Sequence, residues 1–275
     1  MSVTVRIGLF AALLALVFGG ALAAGSAVDP DPAVEGQTGH EMGAAASGHG
    51  ADGSGLRLVA DDLSIKPGRP TDFRYRIVGR DGRVVRDFEV EHERRMHFIV
   101  VRGDLSGFQH LHPRQARDGS WVTDLRVAEA GSYRVFADFK RRGESQTVGA
   151  DVHVAGDFVP RELPHPKPSA TTDTGYEVRL ARDGEGIRFT VFLHGRRVDD
   201  VEPYLGARGH LVALREGDLA FLHVHPESKP TEGRDIRFRV EYPSNGRYRL
   251  FLQFKHRGAV HTAAFTQEVG DEHGD

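Results

Sequence analysis

The sequence predicts an all-β protein with two tandem β-sandwich domains of immunoglobulin-like or cupredoxin-like type, preceded by an N-terminal signal segment. Three observations lead to this prediction. Apolar and polar residues alternate with a period of two in many short stretches, a long segment occurs twice, and nothing after Ala24 has a helical pattern. Gly-rich turns separate about seven such stretches in each copy, which is typical of a sandwich.

The chain begins with a segment, residues 1–24, that has the composition of an export signal. Arg6 supplies its positive charge, an uninterrupted apolar run extends from Ile7 to Ala24, and Ala21–Ala23 fits the small-residue rule of signal peptidases. The run is also just long enough to span a bilayer, so an uncleaved N-terminal anchor is the alternative. Either alternative places the remaining chain outside the cytoplasm, either secreted or in the periplasm and cell envelope. Membrane contact is then expected only through this segment.

Composition divides the remaining chain into further parts. Residues 25–55 are rich in small and polar side chains and lack large apolar ones, so a disordered tether is expected. Residues 56–156 and 176–270 are the two predicted sandwich domains. Four prolines between them predict a semi-rigid linker over residues 157–175, and residues 271–275 form a short tail.

The two predicted domains are copies of each other. His97–Val100 corresponds to His210–Ala213, and Gly131–Tyr133 corresponds to Gly246–Tyr248 with an offset that is slightly longer, so one loop differs in length between the copies. A period as long as a whole domain indicates a duplicated domain rather than a solenoid. The Gly-x-Tyr motif resembles the tyrosine corner of immunoglobulin-like folds, so both tyrosines receive a structural role.

Bulk composition excludes several classes of function. The formal net charge is −3 with acidic and basic residues mixed, so a nucleic-acid partner is not expected. The chain has no cysteine, which excludes disulfides, thiolate zinc sites, a cysteine nucleophile and a lipoprotein anchor. Fifteen histidines against three methionines point instead to imidazole chemistry.

A histidine pattern, H-x12-H-x-H-P, occurs once in each copy. Its members are His97, His110 and His112 in the first copy and His210, His223 and His225 in the second. Gly and Asp between the first two histidines predict a tight turn and hence a β-hairpin. A turn at the middle of each hairpin would place His97 opposite His112 and His210 opposite His225. His110 and His223 lie two residues before His112 and His225, so they share the same strand face. Each domain is therefore expected to display three imidazoles suited to Cu(II) or Zn(II).

Copper is the preferred metal because nitrogen-rich sites bind Cu(II) most strongly, and zinc is the alternative. Met96 lies on the opposite strand face from His97 and is not expected to be a ligand. In a structural alternative, Pro113 and Pro226 end the strands and the imidazoles bond loop carbonyls without any metal. Six further histidines have no counterpart in the other copy and are expected on the surface: His153, His165, His194, His256, His261 and His273. The single tryptophan, Trp121, fits a sandwich core.

The segment Pro203–Val212, followed by His223–Pro226, is similar to exported bacterial β-sandwich proteins described as secreted or YtkA-like and associated with copper resistance. The resemblance covers most of the second copy and is weaker in the first. It implies an envelope location and a connection with copper. Copper-resistance proteins of the CopC kind use a histidine at the mature N-terminus, which this chain lacks after the expected cleavage, so their ligand set does not transfer.

Together these observations predict a non-enzymatic, extracytoplasmic carrier, buffer or sensor of metal, whose partners are the metal ion and another envelope protein. The competing class is a metal-free immunoglobulin-like adhesion or interaction module of the cell envelope. An oxidase is a more remote third alternative, because an open three-histidine site could support copper chemistry.

Overall fold

A computed structural model of the chain describes residues 55–183, 186–222, 224–227 and 234–270. These residues form nineteen β-strands and no helix, which confirms the all-β prediction. Nothing within these ranges qualifies as a membrane-spanning helix. The predicted signal segment, the tail and almost all of the predicted tether lie outside the described residues.

The first copy is a sandwich of two sheets whose strands are mostly antiparallel. Its strands are β1 (Arg57–Ala60), β2 (Ser64–Ile65), β3 (Thr71–Val78), β4 (His97–Arg102), β5 (Gln109–Leu111), β6 (Arg114–Gln115), β7 (Trp121–Leu125), β8 (Gly131–Arg141) and β9 (Glu144–Val154). One sheet has the order β1-β3-β7-β6 and the other β2-β9-β8-β4-β5. Alternating apolar residues from both sheets, among them Tyr75, Phe98 and Phe139, fill the core between them.

The second copy repeats this arrangement. Its strands are β10 (Ser169–Thr171), β11 (Tyr176–Asp183), β12 (Gly186–Leu193), β13 (Arg196–Arg197), β14 (His210–Arg215), β15 (Phe221–Leu222), β16 (Val224–Pro226), β17 (Ile236–Val240), β18 (Gly246–His256) and β19 (Ala259–Val269). The sheets are ordered β10-β11-β12-β17-β16, with β13 on β12, and β15-β14-β18-β19. Phe189, Phe238 and Phe254 lie in the core between them.

A third apolar core joins the two sandwiches. All six residues of β4 are buried, because one face of the strand lines the first core and the other face packs against the second copy. Ile99 and Val101 on that outer face lie in one cluster with Val212 and Leu214 of β14. Both sandwiches therefore belong to a single compact unit in which the sheets containing β4 and β14 pack on each other.

The contacts across this third core are reciprocal. Phe108 stacks on Phe251 with ring centroids 4.0 Å apart, and Phe136 packs on Phe221 at 5.5 Å. The repeat offsets make Phe108 equivalent to Phe221 and Phe136 equivalent to Phe251. Each contact is thus the counterpart of the other under exchange of the copies, as in an isologous dimer with twofold symmetry.

The linker is held against both sandwiches by arginine side chains that donate hydrogen bonds to its backbone carbonyls. The Arg102 guanidinium donates to the Val159 carbonyl at 3.2 Å, and the Arg247 guanidinium donates to the Leu163 carbonyl at 2.7 Å. Leu163 itself is buried in the third core. The proline-rich segment therefore packs along the interface between the two sandwiches.

Both tyrosine corners are present as the sequence indicates. The Tyr133 hydroxyl donates to the Glu129 carbonyl at 3.0 Å, and the Tyr248 hydroxyl donates to the Ser244 carbonyl at 2.7 Å. Trp121 is buried in the first core, where its ring meets Phe88 edge to face. These residues are structural, as expected.

Two histidines expected on the surface are buried instead. His256 lies 3.2 Å from the Asp200 carboxylate through Nε2 and 2.7 Å from the Tyr176 hydroxyl through Nδ1. His261 Nδ1 lies 2.7 Å from the Thr174 hydroxyl. The surface prediction was wrong here because polar partners contributed by distant segments satisfy both rings, and a single strand does not reveal those partners.

Candidate metal centre

The first-copy histidines converge on one face of a hairpin, as predicted. Strands β4 and β5 pair with Phe98 opposite Leu111 and Ile99 opposite His110, so the next position in this register sets His97 opposite His112. The ring centroids lie 5.2 Å apart for His97 and His110, 5.3 Å for His97 and His112, and 4.8 Å for His110 and His112. The turn chemistry between the strands was therefore sufficient to bring these three rings together.

In the second copy His225 does not lie opposite His210, which corrects the predicted register. Among the described residues, strand β15 pairs with β14 through Phe221 and Leu222. The chain then crosses to the other sheet, where β16 pairs with β17 and His225 lies opposite Arg239. His225 is exposed, and although it lines one cavity with His210, the two are not paired across strands. His223 lies outside the described residues.

His210 joins the first-copy histidines instead. Its ring centroid is 4.7 Å from that of His110 and 5.5 Å from that of His97, with nearly parallel planes in the second pair. One ring nitrogen from each of these three histidines lies within 4.8 Å of the other two. The third core explains this meeting, because His97 and His210 begin the two strands that pack face to face across it.

Hydrogen bonds determine which nitrogens of His97 and His110 carry protons. His97 Nε2 lies 3.1 Å from the Glu91 carbonyl oxygen, and His110 Nδ1 lies 2.6 Å from Gln253 Oε1. Both oxygens only accept, so these two nitrogens donate. The Gln253 amide nitrogen donates to Thr262 Oγ1 at 3.4 Å, which agrees with the amide oxygen facing His110.

The other two nitrogens of this pair then face each other as lone pairs. His97 Nδ1 and His110 Nε2 are 3.0 Å apart, and in neutral rings with the protons placed as above neither carries a hydrogen. A ring nitrogen bonded to a carbonyl while its partner nitrogen points into a shared site is the usual arrangement of a metal-ligating histidine. The pair is thus oriented for a cation between the rings.

The histidines are neutral at neutral pH because of their surroundings. Burial, reinforced by neighbouring imidazoles, lowers the pKa of His110 to about 3 and that of His112 to about 4. Burial likewise lowers the pKa of His97 and takes the pKa of His210 well below its usual value. His112 Nε2 is enclosed and has no hydrogen-bond partner among the described residues. Neutral imidazoles retain the lone pairs that a metal requires.

A fourth residue near the cluster, His92, was missed by sequence reasoning. Its ring centroid lies 6.1 Å from that of His97 and 5.8 Å from that of His210. His92 stands outside the H-x12-H-x-H-P pattern, and the offset that relates His97 to His210 pairs it with Leu205 in the second copy. Its only sequence signal is its place shortly before His97.

A cavity of about 440 Å³ opens beside the cluster, between the two copies. Its polar lining brings His92 and His210 together with His225, Glu91 and Asp138. The cavity therefore gives solvent a route to one side of the histidine cluster, through residues of both copies.

The fold and this site define a tandem β-sandwich protein with a histidine cluster shared between its domains. Residues 49–156 and 170–271 each match the domain of unknown function DUF8832, and the chain belongs to that family. The two matches agree with the division into two copies. No curated protein matches the chain.

Among solved structures, the chain is similar to parts of bacterial α2-macroglobulins. The Salmonella protein reacted with methylamine is 13% identical, with 82% of this chain and 15% of that chain covered at a TM-score of 0.29. The Escherichia coli protein activated by porcine elastase is 12% identical, with 78% of this chain and 20% of that chain covered at a TM-score of 0.27. This chain thus spans at most a fifth of the length of these structures.

Proposed function

We propose that this protein is an extracytoplasmic metal-binding protein that holds one transition-metal ion, copper in preference to zinc, between its two domains. The observation that carries the proposal is the pair of facing lone pairs on His97 and His110, with a nitrogen of His210 close by. The predicted export segment supports a location outside the cytoplasm. A role as carrier, buffer or sensor follows from these two features.

The facing lone pairs are unfavourable without a cation between them. Two unprotonated nitrogens 3.0 Å apart repel each other in a partly buried site where water screens less than in bulk solvent. A shared proton is disfavoured near neutral pH, because burial lowers the pKa of both rings. Ligands about 2.0–2.1 Å from a tetrahedral ion lie roughly 3.3 Å from each other, so a small movement of the rings would admit a metal.

The chemistry of the donors favours Cu(II) or Zn(II). The three nitrogens are neutral imidazoles, and Met96 lies in the first core on the opposite face of the strand from His97, so a thioether ligand for Cu(I) is not supplied. Copper is preferred because a given nitrogen site binds Cu(II) more tightly than Zn(II). The resemblance to secreted proteins associated with copper resistance supports the same choice.

Metal titration of the mature protein tests this function. Calorimetry with Cu(II) and Zn(II) is expected to give one ion per chain, because the three ligands come from both copies. His210→Asn is expected to lower the affinity at least tenfold, whereas His153→Asn, an exposed histidine on β9, leaves it unchanged. A stoichiometry of two would indicate separate sites in each copy. An absence of binding would leave the metal-free interaction module.

A further inference from the structure

We propose that His92 is a ligand of the same metal ion, so that a turn outside the repeated histidine pattern completes the site. This inference rests on the proposed function and concerns the coordination of that ion. Its basis is the position of the His92 ring, the backbone that presents it, and the difference between the two copies at this turn.

The His92 ring lies over the part of the cluster that both copies build. It meets His97 of the first copy at 6.1 Å and His210 of the second copy at 5.8 Å, both edge to face. It also lines the cavity that leads to the cluster, as His210 does. A metal held by the three-histidine set would therefore have His92 beside it on the side open to the cavity.

His92 is carried by a tight turn with an unusual backbone. Glu91 and Arg94 exchange two backbone hydrogen bonds of 2.8 and 3.0 Å around a two-residue loop. The loop residues, His92 and Glu93, have φ values of 49° and 63°. Turns with two positive φ angles strongly prefer Asn and Gly, so His followed by Glu is an unfavourable choice for the turn alone. Backbone strain of this kind is concentrated at binding sites.

The same turn is tied to a ligand of the proposed site. The Glu91 carbonyl accepts the hydrogen of His97 Nε2, so the residue that orients His97 is the neighbour of His92. The Glu91 carboxylate in turn accepts from the Ser145 hydroxyl at 2.9 Å, which fastens the turn to β9. His92 is therefore held next to the cluster, and a rotation of its side chain alone changes its distance to the other rings.

The second copy shows what this turn contains when no ligand is needed. Tyr204 and Ala207 bracket the equivalent turn, and its loop residues are Leu205 and Gly206 with φ values of 55° and 79°. Gly suits the second position, and Leu205 is buried. The first copy has a histidine where the second has this packed leucine, which indicates a role for His92 beyond the turn.

His112 is the competing candidate for a fourth ligand. Its ring meets His97 and His110, both of the first copy, and it lines a different cavity with Asp72 and Arg114. His92, in contrast, meets one ligand from each copy and faces the cavity beside His210. The His112 ring is closer to its neighbours, at 5.3 and 4.8 Å, but the position of His92 between the two copies favours His92 as the ligand that closes the site.

The test compares His92→Asn with His112→Asn in the full mature chain loaded with Cu(II). Asn tolerates positive φ, so the turn is expected to remain and the metal-free melting temperature to stay close to that of the wild type. His194→Asn is the matched control, because His194 is an exposed histidine with a positive φ of 50° in a turn away from the cluster, and its replacement should leave the spectrum and the affinity unchanged. The readouts are the number of coupled nitrogens in the Cu(II) electron paramagnetic resonance spectrum and the affinity measured against a competing chelator.

We expect four coupled nitrogens in the wild type and in His112→Asn, and three in His92→Asn with at least tenfold weaker binding. An unchanged spectrum and affinity in His92→Asn would overturn the inference, as would the loss of a nitrogen in His112→Asn instead. If the wild type binds Cu(II) and His92→Asn behaves identically, only this inference fails. If the wild type binds no Cu(II), the proposed function fails with it.

Discussion

Single atoms outside the histidine cluster decide how its rings present their nitrogens. Gln253 Oε1 accepts from His110 Nδ1, and this hydrogen bond turns the other nitrogen of His110 toward His97. Gln253 belongs to the second copy and His110 to the first, so a residue of one domain orients a proposed ligand of the other. Such partners of ligating histidines commonly contribute strongly to metal affinity.

Replacing Gln253 is expected to weaken metal binding without removing a ligand. Gln253→Leu deletes the acceptor of His110 Nδ1–H, so the ring is free to take the other tautomer, and we expect roughly 10–100-fold lower Cu(II) affinity. Competition with a chelator measures the change. Thr262→Val, which removes only the contact to the Gln253 amide nitrogen, is the control and should change the affinity little. Equal affinities for wild type and Gln253→Leu would contradict the orienting role.

The neutral, partly buried histidines also make the metal-free protein sensitive to acid. The pKa of His110 is about 3 and that of His112 about 4 in the folded protein, against about 6.5 when unfolded. Below pH 6.5 the unfolded chain therefore binds protons that the folded protein does not. The free energy of unfolding is highest above pH 6.5 and falls as the pH drops toward the folded pKa values.

Urea unfolding at pH 7.5 and pH 4.5 measures this loss in the metal-free protein. We expect the free energy of unfolding to fall by about 3 kcal/mol through His110 alone, since each of the two pH units between 6.5 and 4.5 contributes about 1.4 kcal/mol at most. In His112→Leu the free energy of unfolding should fall less over this range, because one of the rings that gain a proton on unfolding is gone. A free energy of unfolding that rises on acidification over this range would refute the assignment of neutral histidines.

Among the structural elements, the strand after each hairpin turn is where the copies differ. In the first copy, β5 stays paired with β4 as far as Leu111, and the chain joins the other sheet only at β6. In the second copy, the equivalent residue, Val224, already belongs to β16 and pairs with β17 in the other sheet. The H-x-H-P pattern is the same in both. The crossover point depends on pairing with β7 or β17, strands that come later in the chain, and the pattern itself does not encode it.

The tyrosine corners stabilise both copies independently of the cluster. Tyr248→Phe removes the hydroxyl that donates to the Ser244 carbonyl, and Tyr133→Phe removes the equivalent bond to the Glu129 carbonyl. Each substitution is expected to lower the free energy of unfolding by about 1 kcal/mol. Chemical denaturation measures the loss, and Cu(II) affinity should be unchanged in both variants. A tenfold loss of affinity in either would show that the corner also positions the site.

For the whole molecule, the third core converts two sandwiches into one structure with a shared site. Its reciprocal aromatic contacts resemble those of a twofold dimer, with the linker joining the two halves. His97 and His210, at equivalent positions, approach each other because they begin the two strands that this core packs face to face. A site shared in this way requires the interface to form before the ligands can meet.

Weakening the interface is therefore expected to weaken metal binding at a distance. Phe251→Ala removes the ring that stacks on Phe108 at 4.0 Å, and the cavity left behind should cost about 3–5 kcal/mol of stability. Cu(II) affinity should fall as well, although Phe251 is not a ligand. Val260→Ala, at an exposed position of β19, should alter stability by less than about 0.5 kcal/mol and leave affinity intact. Unchanged affinity in Phe251→Ala would mean that the ligands meet without this packing.

Local patterns in the sequence were sufficient for the parts of the fold that depend on near neighbours. Period-two alternation predicted the strands, the repeat predicted two copies, and Gly and Asp in the turn predicted the register that brings His97 and His112 together. The same reasoning excluded Met96 from the cluster, and Met96 is buried in the first core. Each of these depends on residues within one hairpin or one strand, where spacing determines geometry.

By itself, then, the sequence determined the all-β class, the tandem arrangement and the first-copy cluster. Only the tertiary structure decided that His210 joins this cluster, that His225 pairs with Arg239 on the other sheet and that His92 stands beside the cluster. The physical reason is that the outer faces of β4 and β14 are apolar and must be buried, and two such faces from separate copies bury each other. Residues a whole domain apart in the chain thereby come into contact, and spacing along the chain carries no information about which faces will pack.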